Sequence, residues 1–172
     1  MRLFINQCLQ IGEELALDSF ASNYIARVLR LKINQCIVIF NGHNPLGEYR
    51  AKIIQIDKKH VVVQILEFEN KDAESPIKIN LLQGISRGDR MDYTIQKAVE
   101  LGVNSVFPLF LDRSNVKLLD EKRLHTKLAH WQTIAHSAMQ QSGRTSLVMV
   151  NTPSHLSTID AIEAELKILA DP

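Results

Sequence analysis

Cysteine is nearly missing from this chain: Cys8 and Cys36 are its only two, and no Cys-x-x-Cys pair occurs. That excludes a zinc ribbon and a disulfide framework, and points to packed or semi-exposed thiols in a reducing cytoplasm. Long apolar runs are missing too. No stretch reaches the roughly 18 residues that cross a bilayer, and Met1-Arg2-Leu3-Phe4-Ile5-Asn6 has no signal-peptide core. Glycine is sparse, at seven residues, and no G-x-G-x-x-G cluster exists. The loop Gly42-His43-Asn44-Pro45-Leu46-Gly47 lacks that spacing, which removes a Rossmann oxidoreductase. A one-sided charge is also absent. Twenty Lys and Arg against nineteen Asp and Glu leave a net of +1, which excludes a protein that coats nucleic acid by bulk charge.

The charge is unevenly spread. Residues 1–75 hold nine basic and nine acidic residues, residues 76–150 hold ten against six, and residues 151–172 hold one against four. The surplus of +4 lies on the middle segment. A length of 172 residues suits one medium domain or two small ones.

Residues 1–70 read as a small β-rich unit. Cys36-Ile37-Val38-Ile39-Phe40 is a buried-strand run closed by the turn signal Asn41-Gly42. Residues 48–56 partly alternate, and the β-branched run from His60 to Leu66 returns as another strand. Ahead of them, residues 20–30 show helical periodicity with Tyr24, Ile25, Val28 and Leu29 on one stripe, and Arg27 and Arg30 three apart on the other face. These elements suggest a partly open barrel. The polar stretch from Glu67 to Pro76 reads as a linker, with residues 71–76 as its centre.

From residue 77 to 172 strands and helices alternate. Strands are expected at 78–85, 105–111, 147–151 and from 166, with helices at 90–101, 120–141 and 157–165. This βαβ order calls for a parallel sheet with right-handed crossovers. Leu124, Leu128, Trp131, Ala135 and Ala138 mark the buried face of the long helix, and Gly143 suits its C-terminal left-handed position. Trp131 is therefore core. His125, His130 and His136 share no metal-ligand spacing, so no metal site is expected.

Chemistry concentrates at a few stations. Met91, Ile95, Ala98 and Val99 form the apolar stripe of the helix at 90–101, leaving Lys97 and Glu100 off it and three apart, able to pair. Arg87 follows one strand and precedes Gly88, Arg113 follows the next, and Arg144 follows the long helix. Open α/β sheets bind ligands at the carboxyl ends of their strands, and arginine forks fit phosphate and carbonyl oxygens. The three arginines are read as one phosphate-facing rim, with solvated surface arginines as the competing reading.

At these residues a family resemblance enters. Arg27-Val28-Leu29-Arg30, Ser86-Arg87-Gly88-Asp89-Arg90-Met91, Thr94-Ile95-Gln96-Lys97, Glu100-Leu101-Gly102, Pro108-Leu109-Phe110, Asp112-Arg113-Ser114, Trp131-Gln132 and Gln141-Ser142-Gly143-Arg144 resemble ribosomal RNA small subunit methyltransferase E, of the SPOUT superfamily. The likeness is collinear over essentially the whole chain. It implies an α/β protein: an N-terminal PUA-like β-barrel over 1–70, then a trefoil-knotted SPOUT methyltransferase domain from 77. It also implies S-adenosylmethionine-dependent methylation of a uracil N3 in 16S rRNA, acting on the small ribosomal subunit, in a cytoplasmic homodimer. By position, Arg27, Arg30 and Arg87 become RNA contacts, and Lys97, Glu100, Arg113 and Arg144 become catalytic candidates. Tyr24 stands where the family usually carries His, Asp112 where it carries Glu, and Gln140 where it carries Glu. The family's cofactor segments, an Ile-Gly-Pro-Glu-Gly-Gly loop and a Leu-Arg-x-Glu-Thr-Ala stretch, do not occur in these 172 residues. The expectation is therefore a C-terminally incomplete domain that binds RNA but lacks most of the donor pocket. The alternative is an RNA-binding module without catalysis.

Overall fold

A computed structural model describes residues 1–57, 60–111, 121–158 and 163–170. Alternating apolar residues build the first sheet from β1 (Arg2–Phe4), β2 (Glu14–Ala16), β3 (Cys36–Phe40), β4 (Gly47–Ile56) and β5 (Val61–Asn70), in the order β1-β3-β4-β5-β2. The β1–β3 pair is parallel and the others antiparallel. One face buries Ile37, Ile39, Ala51, Ile53, Val61, Val63 and Ile65 almost completely. Register shifts at Arg50/Ala51 and Ile53/Gln55 bend β4, as bulges do. The edge strands β1 and β2 are not paired with each other, so the described sheet is curved and open rather than a closed barrel.

Helix α1 (Ser19–Asn23) begins where the Asp18 carboxylate accepts from the Ala21 amide at 2.8 Å, an N-cap. It then widens into a π turn over Tyr24–Val28, where the Leu29 amide donates to the Tyr24 carbonyl at 2.9 Å. The wider turn changes the helical phase. Ala21 and Ile25 stay buried, whereas Val28 is 65% exposed, contrary to the stripe expected from a 3.6-residue period.

The second sheet is parallel: β6 (Asn80–Gly84), β7 (Ser105–Phe110), β8 (Met149–Val150) and β9 (Ser154–His155). Strand β7 is central, with β6 along one side and β8 then β9 along the other. Pro108 lacks an N–H, and the neighbouring strand breaks at Asn151–Pro153 between its contacts with Val106 and Leu109. Helices α2 (Asp89–Glu100) and α3 (Glu121–Ser142) bury Met91, Ile95, Val99, Trp131, Ala135, Ala138 and Met139 against it. The expected helix at 157–165 is only a 3₁₀ turn at Leu156–Thr158 within the described residues. The strand expected from 166 is not formed either. Residues 163–170 pair with no strand, and Leu166, Ile168 and Leu169 are 75–92% exposed, so apolar composition there is not matched by a burying partner.

The polar residues 67–70 belong to β5 rather than to a linker. The segment after it is tied down: the Lys71 amide donates to the Leu46 carbonyl, and the Thr145 hydroxyl donates to the Lys71 carbonyl. The two sheets share an interface. Phe40, at the end of β3, joins the second core, and Phe4 packs beside it. Arg2 lies 3.6 Å from the Phe40 ring centroid, pairs with Glu48 at 2.6 Å, and donates to the Met139 carbonyl at 2.8 Å and to the Arg144 carbonyl. Gly42 (φ +76°) lies under Leu147, where an added Cβ would sit 2.8 Å from that residue's Cβ and backbone nitrogen.

Candidate functional site

A parallel sheet has two unlike edges, and the candidate residues divide between them. At the carboxyl edge, β6 ends at Gly84, Ile85 comes next, and the exposed Arg87 follows. Gly88 (φ +59°, ψ −145°) makes the sharp entry into α2 in a conformation that disfavours a side chain. Leu111, just after β7, leaves from this same edge. Arg113 lies outside the described residues. Strand β9 also brings His155 here, its ring 5.5 Å from that of Phe110. Sequence reading missed it, because a two-residue strand after a proline has no periodic signal.

Lys97 and Glu100 lie near the other edge, since α2 runs back from the carboxyl edge and its last turn arrives where β7 begins. Lys97 Nζ contacts Glu100 Oε2 at 2.6 Å, and the Gln96 amide donates to Glu100 Oε1 at 2.9 Å. The hydrogen bond to Glu100 raises the Lys97 pKa, and the bonds from Lys97 and Gln96 hold the Glu100 carboxyl below its usual range. Lys97 also sits 5.8 Å from the ring centroid of Tyr93, which is 64% exposed.

Arg144 is at this edge too, and it is buried, with 7% exposure. Its Nε and Nη2 donate to Glu74 at 3.0 and 2.5 Å, and Nη1 donates to the carbonyls of Val99 and Val103 at 3.1 and 2.5 Å. Glu74 additionally accepts from the amides of Thr145 and Ser146. Burial alone would raise the Glu74 pKa, but the Arg144 and backbone hydrogen bonds outweigh it and the carboxyl is held low. The expected single rim of Arg87, Arg113 and Arg144 is therefore corrected. Arg144 precedes its strand whereas Arg87 follows one, and β7, six residues long, separates the two edges by about 17 Å.

Arg27 and Arg30 are exposed on the first domain. They do not share a helical face: Arg27 is in the π turn, while Arg30 (φ +52°) comes after the helix has ended. The three histidines of α3 have separate surroundings. His130 contacts Asp92 at 2.8 Å, and the His136 ring packs 4.2 Å from that of Phe4. Among the described residues no group of three or more His, Cys, Asp or Glu could hold a metal ion, and no helix is long and apolar enough to cross a membrane.

An open five-stranded sheet followed by a parallel α/β sheet is the architecture to be compared with known proteins. Residues 73–172 match the RNA methyltransferase domain family, and residues 21–66 match the RNA methyltransferase PUA domain family. The Buchnera aphidicola (Acyrthosiphon pisum) ribosomal RNA small subunit methyltransferase E is 34% identical over 157 residues, covering 90% of this chain and 60% of that protein. The Bacillus subtilis protein of the same name is 30% identical over 74% of this chain and 49% of its own length. Among solved structures, the Neisseria gonorrhoeae ribosomal RNA small subunit methyltransferase E bound to S-adenosyl methionine superposes with a TM-score of 0.88. It shares 34% identity over 95% of this chain and 66% of that one. A putative methyltransferase from Legionella pneumophila with bound SAM gives a TM-score of 0.91 at 33% identity, over 97% and 68% of the two chains. This chain belongs to the ribosomal RNA small subunit methyltransferase E family, as a mixed α/β protein with a PUA domain ahead of a SPOUT-type methyltransferase domain. It spans about 60% of the length of the Buchnera relatives it matches.

Proposed function

We propose that the protein methylates small-subunit ribosomal RNA, with S-adenosylmethionine as donor and N3 of a uracil in 16S rRNA as target. The observation that carries this reading is the 34% identity and 0.88 TM-score over 95% of the chain to a relative solved with S-adenosyl methionine. Of the two glycines at the carboxyl edge, Gly84 is covered, since a Cβ there would meet the Leu111 side chain at 2.6 Å, whereas Gly88 is open, with nothing within 4 Å of an added Cβ.

The chain's own residues are assigned to binding and charge. Neutral uracil carries a proton on N3, and its loss puts negative charge on the two flanking carbonyl oxygens. Arg113 is proposed to stabilise that charge. Arg87 on the carboxyl edge is proposed to bind RNA phosphate. Lys97, held by Glu100 on the outer face of α2, is assigned to RNA backbone contact. Arg144 is assigned to the scaffold, because its guanidinium is buried in protein partners. The assembly is proposed to be a homodimer.

The test is methylation of 16S rRNA by the protein, with N3-methyluridine read by mass spectrometry. Arg113→Ala should lower kcat by about a hundredfold, and an unchanged rate excludes the assignment. The covered Gly84 also favours a second reading, RNA binding without catalysis by these 172 residues. Calorimetric titration with S-adenosylmethionine separates the two. Micromolar binding would show that the described residues do contribute a donor pocket and would remove the second reading.

A further inference from the structure

The π turn that exposes Val28 creates a surface that the arginines alone did not suggest. Phe20 is 69% exposed, while Ile25, in the adjoining π turn, is fully buried. The Phe20 ring is parallel to that of Tyr24 within 4°, with centroids 6.5 Å apart. Positions 20, 24 and 28 follow at intervals of four and so lie in a stripe along one side of the helix. Phe20 and Val28 are exposed there, and Tyr24 between them is half-buried, packed at its base against the first core.

Arg27 and Arg30 flank this stripe, and both are exposed. Neither has an ion pair or hydrogen bond among the described residues. From residue 18 to 32 the chain carries Arg27, Arg30 and Lys32 against Asp18 alone, a surplus of two positive charges. The Asp18 carboxylate is already engaged as the cap of α1. The surface therefore combines the open Phe20 ring and the half-exposed Tyr24 ring with cations that have no partner among the described residues. A protein partner would have to match both features with apolar and acidic side chains. An unpaired nucleotide supplies them together, with a π face beside a phosphate.

We infer that Phe20 and Tyr24 form a stacking platform for unpaired bases, with Arg27 and Arg30 holding the adjoining phosphates. The occupant is a single-stranded RNA segment. This deepens the proposed rRNA reading and rests on it: it names the form of RNA that the first domain takes, a loop or bulge rather than duplex. The aromatic contacts set affinity without adding counterion release, whereas the arginines carry the salt dependence.

The experiment uses the full chain and a short fluorescent RNA oligonucleotide of mixed sequence, as a single strand and as a duplex. Single-strand binding should exceed duplex binding. Phe20→Ala should weaken it by about tenfold to a hundredfold, the factor that stacking one base supplies, with the slope against salt unchanged. Arg27→Ala/Arg30→Ala should weaken binding and flatten the slope. Because Trp131 is only 2% exposed, Phe20→Trp adds a solvent-facing reporter that single-stranded RNA should quench while restoring affinity. Circular dichroism and melting of Phe20→Ala should match wild type, since the ring is mostly solvated. Binding of wild type with no loss in Phe20→Ala, or equal affinity for duplex, overturns the platform and leaves the rRNA reading standing. A loss of self-association in Phe20→Ala, with RNA affinity intact, would reassign the stripe to a contact between copies of this chain. No RNA binding by wild type overturns both readings.

Discussion

Glutamate 74 lies in the segment that leaves the first sheet, yet its carboxylate organises the start of β8 on the second. It accepts from two nitrogens of Arg144 and from the amides of Thr145 and Ser146. The side chains are 14% and 8% exposed, so the pair is largely withdrawn from water. Glu74→Ala leaves a buried guanidinium without its counterion and two backbone donors without acceptors. Breaking a buried pair on one side costs about 3–5 kcal/mol, and the orphaned amides overlap with that figure rather than adding to it. For a chain of this size that is a fall in Tm of about 6–20 °C. Glu74→Leu combined with Arg144→Met should recover most of it, because the apolar pair carries no desolvation cost. The pH dependence gives an independent check. The Glu74 pKa is depressed in the fold, so its contribution is complete above the unfolded value of about 4.5 and disappears as pH falls through the folded value. Urea unfolding at neutral pH and along an acid series measures both effects. A Glu74→Ala protein within about 1 kcal/mol of wild type at neutral pH would refute the assignment of a clamp.

Three further outcomes follow from the packing. Arg2→Ala should cost about 3 kcal/mol in urea unfolding, since it strips Glu48 of its nearer partner and leaves the Met139 carbonyl at the end of α3 unpaired. Gly42→Ala should destabilise by about 1–3 kcal/mol, because the new Cβ is driven against Leu147 and φ is positive; the measured quantity is again the urea midpoint. The His136 pKa is lowered by burial, so the fold favours its neutral form and stability should decline as pH drops below about 6.5. A His136→Phe variant should lack that decline when melting temperatures are compared across the range.

The sequence made much of the scaffold legible, since burial follows periodicity where an element packs on one face. Trp131, Ala135 and Ala138 are buried as their spacing requires, and so are Met91, Ile95 and Val99. Periodicity misled where the helical pitch changed, at Val28, and where apolar residues had no partner to cover them, at Leu166, Ile168 and Leu169. Strands β1, β2 and β9 escaped because two or three residues carry no period. The site was less legible than the core. The order along the chain already separates the two arginines, since Arg87 follows a strand and Arg144 precedes one, and those positions lie on opposite edges of a parallel sheet. What the order does not show is that Arg144 is buried. Its partner Glu74 is 70 residues away, and no local pattern announces such a pair.

The interface between the sheets connects these observations to substrate binding. Arg2 ties β1 to the end of α3, and Phe4 donates its amide to Gln140 Oε1 at 2.8 Å. His136 packs on Phe4, while the Gln132 amide nitrogen lies 3.0 Å from His136 Nε2 and donates to the Val148 carbonyl. Gln132 Oε1 accepts from the Val150 amide, which fixes the orientation of the side-chain amide. His136 Nε2 must therefore accept, and its proton sits on Nδ1. Protonation would set two donors against each other at the point where β1, α3 and β8 meet. Each contact uses short, buried or half-buried groups on regular elements, which resist displacement better than loops. An RNA segment bound at α1, as inferred above, would consequently be held at a fixed distance and angle from the carboxyl edge that carries Arg87. Loosening the interface should then impair modification of structured rRNA more than binding of a short oligonucleotide. Arg2→Ala separates the two by comparing methylation of 16S rRNA with oligonucleotide affinity. Equal losses in both would mean that the domains act without a fixed register.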